Sequence, residues 1–115
     1  MADKSVIEIN NVAGGAVTNK DFPVIPSGKR YRIVKFGGLD ANNGDNKSSS
    51  YRLRWGDPGG GFEDVRLIAL SGNTYEYNVN KTITGDGTKF IRVQCTNGST
   101  AAKILVFWID AVELR

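Results

Sequence analysis

The sequence predicts an all-β protein: an antiparallel β-sandwich of about eight strands in a single domain spanning residues 1–115. Three observations carry this. Apolar and polar residues alternate with period two in run after run. No segment sustains apolar residues at i, i+3, i+4 and i+7, so no helix longer than a turn is expected. Clusters of Gly, Asn, Asp and Pro punctuate the runs at regular spacing, the pattern of a sandwich or barrel. At 115 residues the chain can bury a single core without disulfides, covering roughly two-thirds of its unfolded surface.

The elements follow in order. Ser5 to Asn10 reads as a first strand with Ile7 and Ile9 on one face, broken by Ala13-Gly14-Gly15-Ala16. A short strand around Val17 to Asn19 follows. Asp21 to Gly28 is extended, and its prolines, which lack N–H donors, suit an edge or loop. Pro26-Ser27-Gly28-Lys29 reads as a tight turn. Arg30 to Phe36 is a strand that Gly37-Gly38 is expected to end. Residues 40–49 then form a polar loop of about ten residues, a length often functional in compact domains. Ser50 to Trp55 alternates cleanly, with Tyr51, Leu53 and Trp55 opposite Arg52 and Arg54. Residues 56–61 are a glycine-rich loop. Phe62 to Leu70 is a strand interrupted by Glu63-Asp64, and Thr74 to Asn80 places Tyr75, Tyr77 and Val79 on one side. Gly85-Asp86-Gly87 is a hairpin signal, since Gly supplies the positive φ of tight turns. Phe90 to Thr96 and Ala102 to Leu114 complete the set, with a turn at Asn97-Gly98-Ser99 between them. The last run is apolar on both faces, which requires cover on both sides: a central place in a sandwich, or another subunit.

A jelly roll is the first choice of topology and an immunoglobulin-like sandwich the second. The Cys…Trp…Cys pattern of immunoglobulin domains is absent.

Catalytic equipment is sparse. The chain has no His, one Cys, one Met and no phosphate-cradling loop, so no enzymatic activity, cofactor or metal is expected. Cys95 is in phase with Ile91 and Val93 and reads as a buried apolar side chain; no His is present to activate it as a nucleophile. Asp40-x-Asn42-x-Gly44-Asp45 offers oxygens at alternating positions, as calcium requires, but in the wrong order for a calcium loop, and reads as a solvated turn. Glu63 and Asp64 are adjacent on a strand, so they point to opposite faces and cannot share an acid/base site.

Fifteen basic and twelve acidic residues give a formal charge of +3, too modest and too dispersed for a nucleic-acid signature. Residues 1–8 lack the apolar core of a signal peptide, and the longest apolar run, Ile104 to Ile109, is far short of a membrane span. Neither a nucleic-acid nor a membrane partner is expected, and synthesis in a cytoplasm is. The candidate contact residues are Arg52 and Arg54 on one polar strand face, with Arg66 expected beside them; Arg is enriched in interfaces and pairs bidentately with carboxylates. Trp55 and Tyr75 are the candidates for stacking against a sugar ring. Trp55 and Trp108 both fall in phase with aliphatic residues, which reads as core.

The organisation of the whole chain resembles that of small jelly-roll bacteriophage capsid decoration (cement) proteins. The stretches that carry the resemblance are Pro26-Ser27-Gly28-Lys29-Arg30-Tyr31-Arg32-Ile33, Tyr51-Arg52-Leu53-Arg54-Trp55-Gly56, Thr84-Gly85-Asp86-Gly87-Thr88-Lys89-Phe90 and Ala102 to Leu114. The resemblance implies a virion component made in the host cytoplasm, a homotrimer that binds the major capsid protein or another virion protein. It also implies a polar N-terminal arm, residues 1–4 with Lys4, that orders on contact. The alternative is a carbohydrate- or host-receptor-binding module of a tail or fibre tip.

Overall fold

The computed structural model describes residues 4–40, 49–70 and 74–114. Eight strands are present among them: β1 (Lys4–Val12), β2 (Val17–Asp21), β3 (Arg30–Asp40), β4 (Ser49–Asp57), β5 (Gly61–Leu70), β6 (Thr74–Thr84), β7 (Phe90–Asn97) and β8 (Lys103–Leu114). They form two four-stranded antiparallel sheets in the orders β1-β8-β3-β6 and β2-β7-β4-β5. The chain changes sheet at every connection except the β4–β5 hairpin, which is the strand order of a jelly roll.

The core lies between the sheets. Ile33, Phe36, Tyr51, Leu53, Ile91, Val93, Cys95, Leu105 and Phe107 are fully inaccessible. Tyr51 bridges the two layers. Its hydroxyl donates to the Leu39 carbonyl (2.8 Å) and accepts from the Val106 N–H (2.9 Å), so the one polar atom of a fully buried ring is satisfied twice.

Several expectations change. Gly37 and Gly38 do not end β3, which continues to Asp40. They are present because two rings need the space. A Cβ on Gly37 would overlap the indole of Trp108, and one on Gly38 would come within 2.6 Å of the Tyr51 ring. Gly85-Asp86-Gly87 does not close a hairpin, because β6 and β7 belong to different sheets. It is a crossover pinned by Asp86, whose Oδ1 accepts from the Thr88 N–H (2.9 Å), the Thr88 hydroxyl (2.8 Å) and the Lys89 N–H (2.9 Å). These bonds, the Thr88 N–H first, hold the Asp86 carboxyl below its ordinary pKa. The Asn97 turn is likewise a crossover. Its buried side chain donates to the carbonyls of Val12 (2.8 Å) and Ala101 (2.9 Å).

The strands on either side of the glycine-rich loop extend into it, leaving a turn over residues 58–60 in which Asp57 Oδ1 accepts from the Gly60 N–H (2.5 Å). The turn at Pro26 is as expected, with the Lys29 N–H donating to the Pro26 carbonyl (3.1 Å). Of the loop expected over residues 40–49, Asp40 belongs to β3 and Ser49 to β4, because the strands run on further than the sequence suggests; residues 41–48 lie outside the described residues. The arm expected over residues 1–4 loses Lys4, whose backbone opens β1 opposite Asp110; residues 1–3 lie outside the described residues.

β8 is central in its sheet, between β1 and β3. Its inner face is Leu105, Phe107, Ile109 and Ala111, all buried. Trp108 is therefore not core. It lies half-buried on the outer face, across Gly37, with Nε1 donating to Glu76 Oε2 (2.6 Å). Cover on the second face is partial, since Ile104 (42 %) and Val112 (40 %) stay exposed.

Candidate functional site

The outer face of the β2-β7-β4-β5 sheet gathers the chemistry-bearing side chains. The register fixes which residues stand side by side. Asp21, Arg92, Arg54 and Asp64 form one row across the four strands; Asn19, Gln94, Arg52 and Leu67 form the next; Phe90, Gly56 and Phe62 form a third.

Arg92 and Arg54 are direct cross-strand neighbours, an arrangement that is repulsive by itself. An acid at each end of the row offsets it. Arg92 makes a two-pronged contact with Asp21, Nε to Oδ1 at 2.7 Å and Nη2 to Oδ2 at 3.0 Å. That hydrogen bonding raises the guanidinium pKa further. Arg54 Nε lies 3.0 Å from Asp64 Oδ1, an ion pair whose N–H is not aligned for a hydrogen bond. Both guanidinium groups also cover the ring of Phe62, Arg92 at 4.5 Å from its centroid and Arg54 at 5.5 Å. Phe62 meets Phe90 edge to face at 5.4 Å, across the space that Gly56 leaves open. Cation–π contact and acid pairing together lock two of the three arginines.

Arg52 is held more loosely. Its Nε is 3.8 Å from Asp64 Oδ1, and its side chain is 42 % exposed. It lines a shallow hollow of about 150 Å³ with Ser50, Gln94, Thr96 and Leu67. Leu67 (52 %) and Val17 (53 %) are exposed on this same face. The face thus joins a guanidinium with spare donors to apolar contact surface.

Arg52 and Arg54 are where the sequence places them. Arg66 is not. A bulge at Val65, between the Leu53–Arg66 and Arg54–Asp64 pairs, shifts the phase of β5. Phe62 and Asp64 face out before it, Leu67 and Ala69 after it, and Arg66 leaves that face for the rim, where it stays exposed and stacks on Tyr77 (4.9 Å). Trp55 is 5 % exposed and unavailable for sugar stacking, whereas Tyr75 is 49 % exposed. Nothing is described of the Lys4 side chain. Glu63 and Asp64 point to opposite sides, as alternation predicts: Glu63 to Lys81 (3.9 Å), Asp64 to Arg54.

Sequence reasoning missed Arg92, Phe62 and Phe90. Their outward phase was legible, because Arg92 alternates with Ile91 and Val93; their meeting with Arg54 depends on a pairing with β4 that no local signal encodes. Cys95 is buried as expected, and desolvation pushes its thiol up to about 12. A larger hollow, about 580 Å³, lies elsewhere, against Ser27, Gly28, Lys29, Glu113 and Leu114, and is crossed by a Lys29–Glu113 pair at 3.3 Å.

No family model matches the chain, and no curated protein matches it. Among solved structures it is similar to PirA (15 % identity, 95 % of this chain and 94 % of that one, TM-score 0.49). It is similar to a subunit of Bacillus endospore appendages, described as disulfide-linked pili (16 %, 95 % and 82 %, TM-score 0.48). It is also similar to the N-terminal cellulose-binding domain of Cellulomonas fimi β-1,4-glucanase C (12 %, 98 % and 78 %, TM-score 0.48).

Proposed function

We propose that this chain is a non-enzymatic structural protein of a phage virion that decorates the head, docking on the major capsid protein through the outer face of the β2-β7-β4-β5 sheet. The observation that carries the docking surface is the cluster of Arg52, Arg54 and Arg92 around Phe62 and Phe90, beside exposed Leu67 and Val17. Arginine and aromatic side chains dominate the energetic centres of protein interfaces. Here two guanidinium groups are held in place before any partner arrives, which lowers the ordering cost of binding. Arg52 supplies the adaptable donor for an acidic side chain of the partner. The jelly-roll strand order supports the resemblance on which the virion reading rests. Assembly as a trimer would let weak single contacts act together, since each added contact becomes intramolecular.

The test is co-sedimentation with undecorated heads. Arg52→Glu replaces the loosely held donor with a like charge for an acidic partner and is expected to lower the bound fraction at least about tenfold while the domain stays folded. Unchanged binding removes this face from the contact. Light scattering on the free protein reads the trimer directly.

A further inference from the structure

A second site lies at the rim where β5 and β6, the outer strands of the two sheets, run past one another. From β6 come Tyr75, Tyr77, Val79 and Lys81; from β5 come Glu63, Val65 and Arg66. Tyr75 and Tyr77 lie two residues apart on the same side, with ring centroids 4.5 Å apart. Arg66 covers Tyr77 at 4.9 Å, while Tyr75 is half exposed. A groove of about 180 Å³ runs on from Arg66 past Val65, Val79 and Asn80 to Lys81, Glu63 and Asp64. The half-buried valines sit between charged walls.

We infer that this rim binds a neutral oligosaccharide, with Tyr75 stacked against a sugar ring and the groove holding its neighbour. The charges select that chemistry. Arg66 and Lys81 share the groove with Glu63, and Lys81 and Glu63 are only loosely paired at 3.9 Å; Asp64 also borders it but turns its carboxylate to Arg54 on the other side of the strand. A carboxylate or phosphate, which only accepts, would meet the Glu63 carboxylate. A cationic ligand would meet two bases. A hydroxyl both donates and accepts, and it finds both kinds of partner in one row: Arg66, Lys81 and the Asn80 amide as donors, Glu63 and the Asn80 carbonyl as acceptors. The weakly polar C–H face of a pyranose matches an open aromatic face, which carries partial negative charge. From Tyr75 to Val79 the strand spans about 13 Å, so the ligand is extended rather than a single ring.

The experiment is titration of the isotope-labelled full chain with a panel of neutral oligosaccharides of glucose, galactose, mannose and N-acetylglucosamine, followed by backbone amide shifts. At least one member is expected to give saturable shifts concentrated in residues 63–66 and 74–81. Tyr75→Ala should weaken that binding about tenfold or more. Tyr75→Trp, which keeps an aromatic plane, should retain it. Because Tyr75 is half exposed, both variants should fold, and their spectra will report it. An absence of saturable rim shifts across the panel overturns the inference, as does equal binding by Tyr75→Ala. Rim shifts produced by polyglutamate or heparin and not by neutral sugars also overturn it and assign the groove to an acidic ligand.

Discussion

Phe107 and Trp108 are consecutive aromatic residues on one strand, and the structure gives them opposite fates. Phe107 is fully buried between the sheets, within 6.0 Å of the Tyr51 ring and 6.4 Å of Phe36. Trp108 lies on the outer face and relies on Gly37 for space and Glu76 for a hydrogen bond. Phe107→Ala should therefore cost about 3–5 kcal/mol of stability, the range for emptying a packed aromatic site. Trp108→Ala should cost about 1–2 kcal/mol, since part of the ring already meets water. Urea midpoints of the two variants, read by circular dichroism, check this; an equal or larger loss for Trp108 would return it to the core. Alternation resolved the two faces of β8 but not which one is inner, because both are apolar. Asp110 shares its phase with Trp108 and favours that face as outer, but Lys103 and Glu113, near the strand's ends, share the phase of Phe107 and argue the other way. The outward phase of Arg52 and Arg54 was readable for the opposite reason: their strand alternates charge against Tyr51, Leu53 and Trp55 without ambiguity.

At the scale of the element, strand existence was legible, and strand phase was legible only where no bulge intervenes. Two bulges account for the difference. The one at Val65 turned Arg66 from the face of Arg52 and Arg54 into the rim, and no residue there announces it. The other lies where Ile33 pairs with Lys81 but Lys35 pairs with Asn78, so that Val34 faces both Val79 and Asn80. Asn80 takes φ of 51° at this point, the left-handed region, where Asn is tolerated and most residues are not. Asn80→Gly should be close to neutral. Asn80→Val should cost about 1–2 kcal/mol, because a β-branched side chain is strained there. Thermal or urea unfolding of the pair separates backbone strain from side-chain contacts: equal losses in both variants would show that the Asn side chain, not φ, is what matters. The glycine pairs misled for a related reason. Gly37-Gly38 and Gly85-Gly87 carry the same local signal as a turn, but the first makes room for rings and the second crosses between sheets.

At the scale of the molecule, both the fold and the proposed docking face are assembled from segments far apart in sequence. The face draws on residues 17–21, 49–57, 61–70 and 90–97, which is why no contiguous motif names it. Among sheet neighbours, β4 and β5 alone are consecutive; β1 pairs with β8 across nearly the whole chain. Such non-local pairing folds slowly, because loop closure precedes the contacts that reward it. β1 is the sharpest case. It has one neighbour, β8, yet it supplies Val12 to the core and packs Ile7 and Ile9 against it. Its Val12 carbonyl also receives the Asn97 side chain that ties down the β7–β8 crossover. Removing residues 1–12 should uncover an apolar edge along β8 and leave a chain that aggregates on refolding. Removing residues 1–3 alone should leave the melting temperature unchanged. The two truncations, compared by thermal melts and by light scattering after dilution from urea, locate where the N-terminal segment stops being dispensable. A folded, monomeric product lacking residues 1–12 would show that the other seven strands close the sandwich without β1. The register says otherwise: β8 would then present its central backbone, from Lys103 to Asp110, unpaired to solvent.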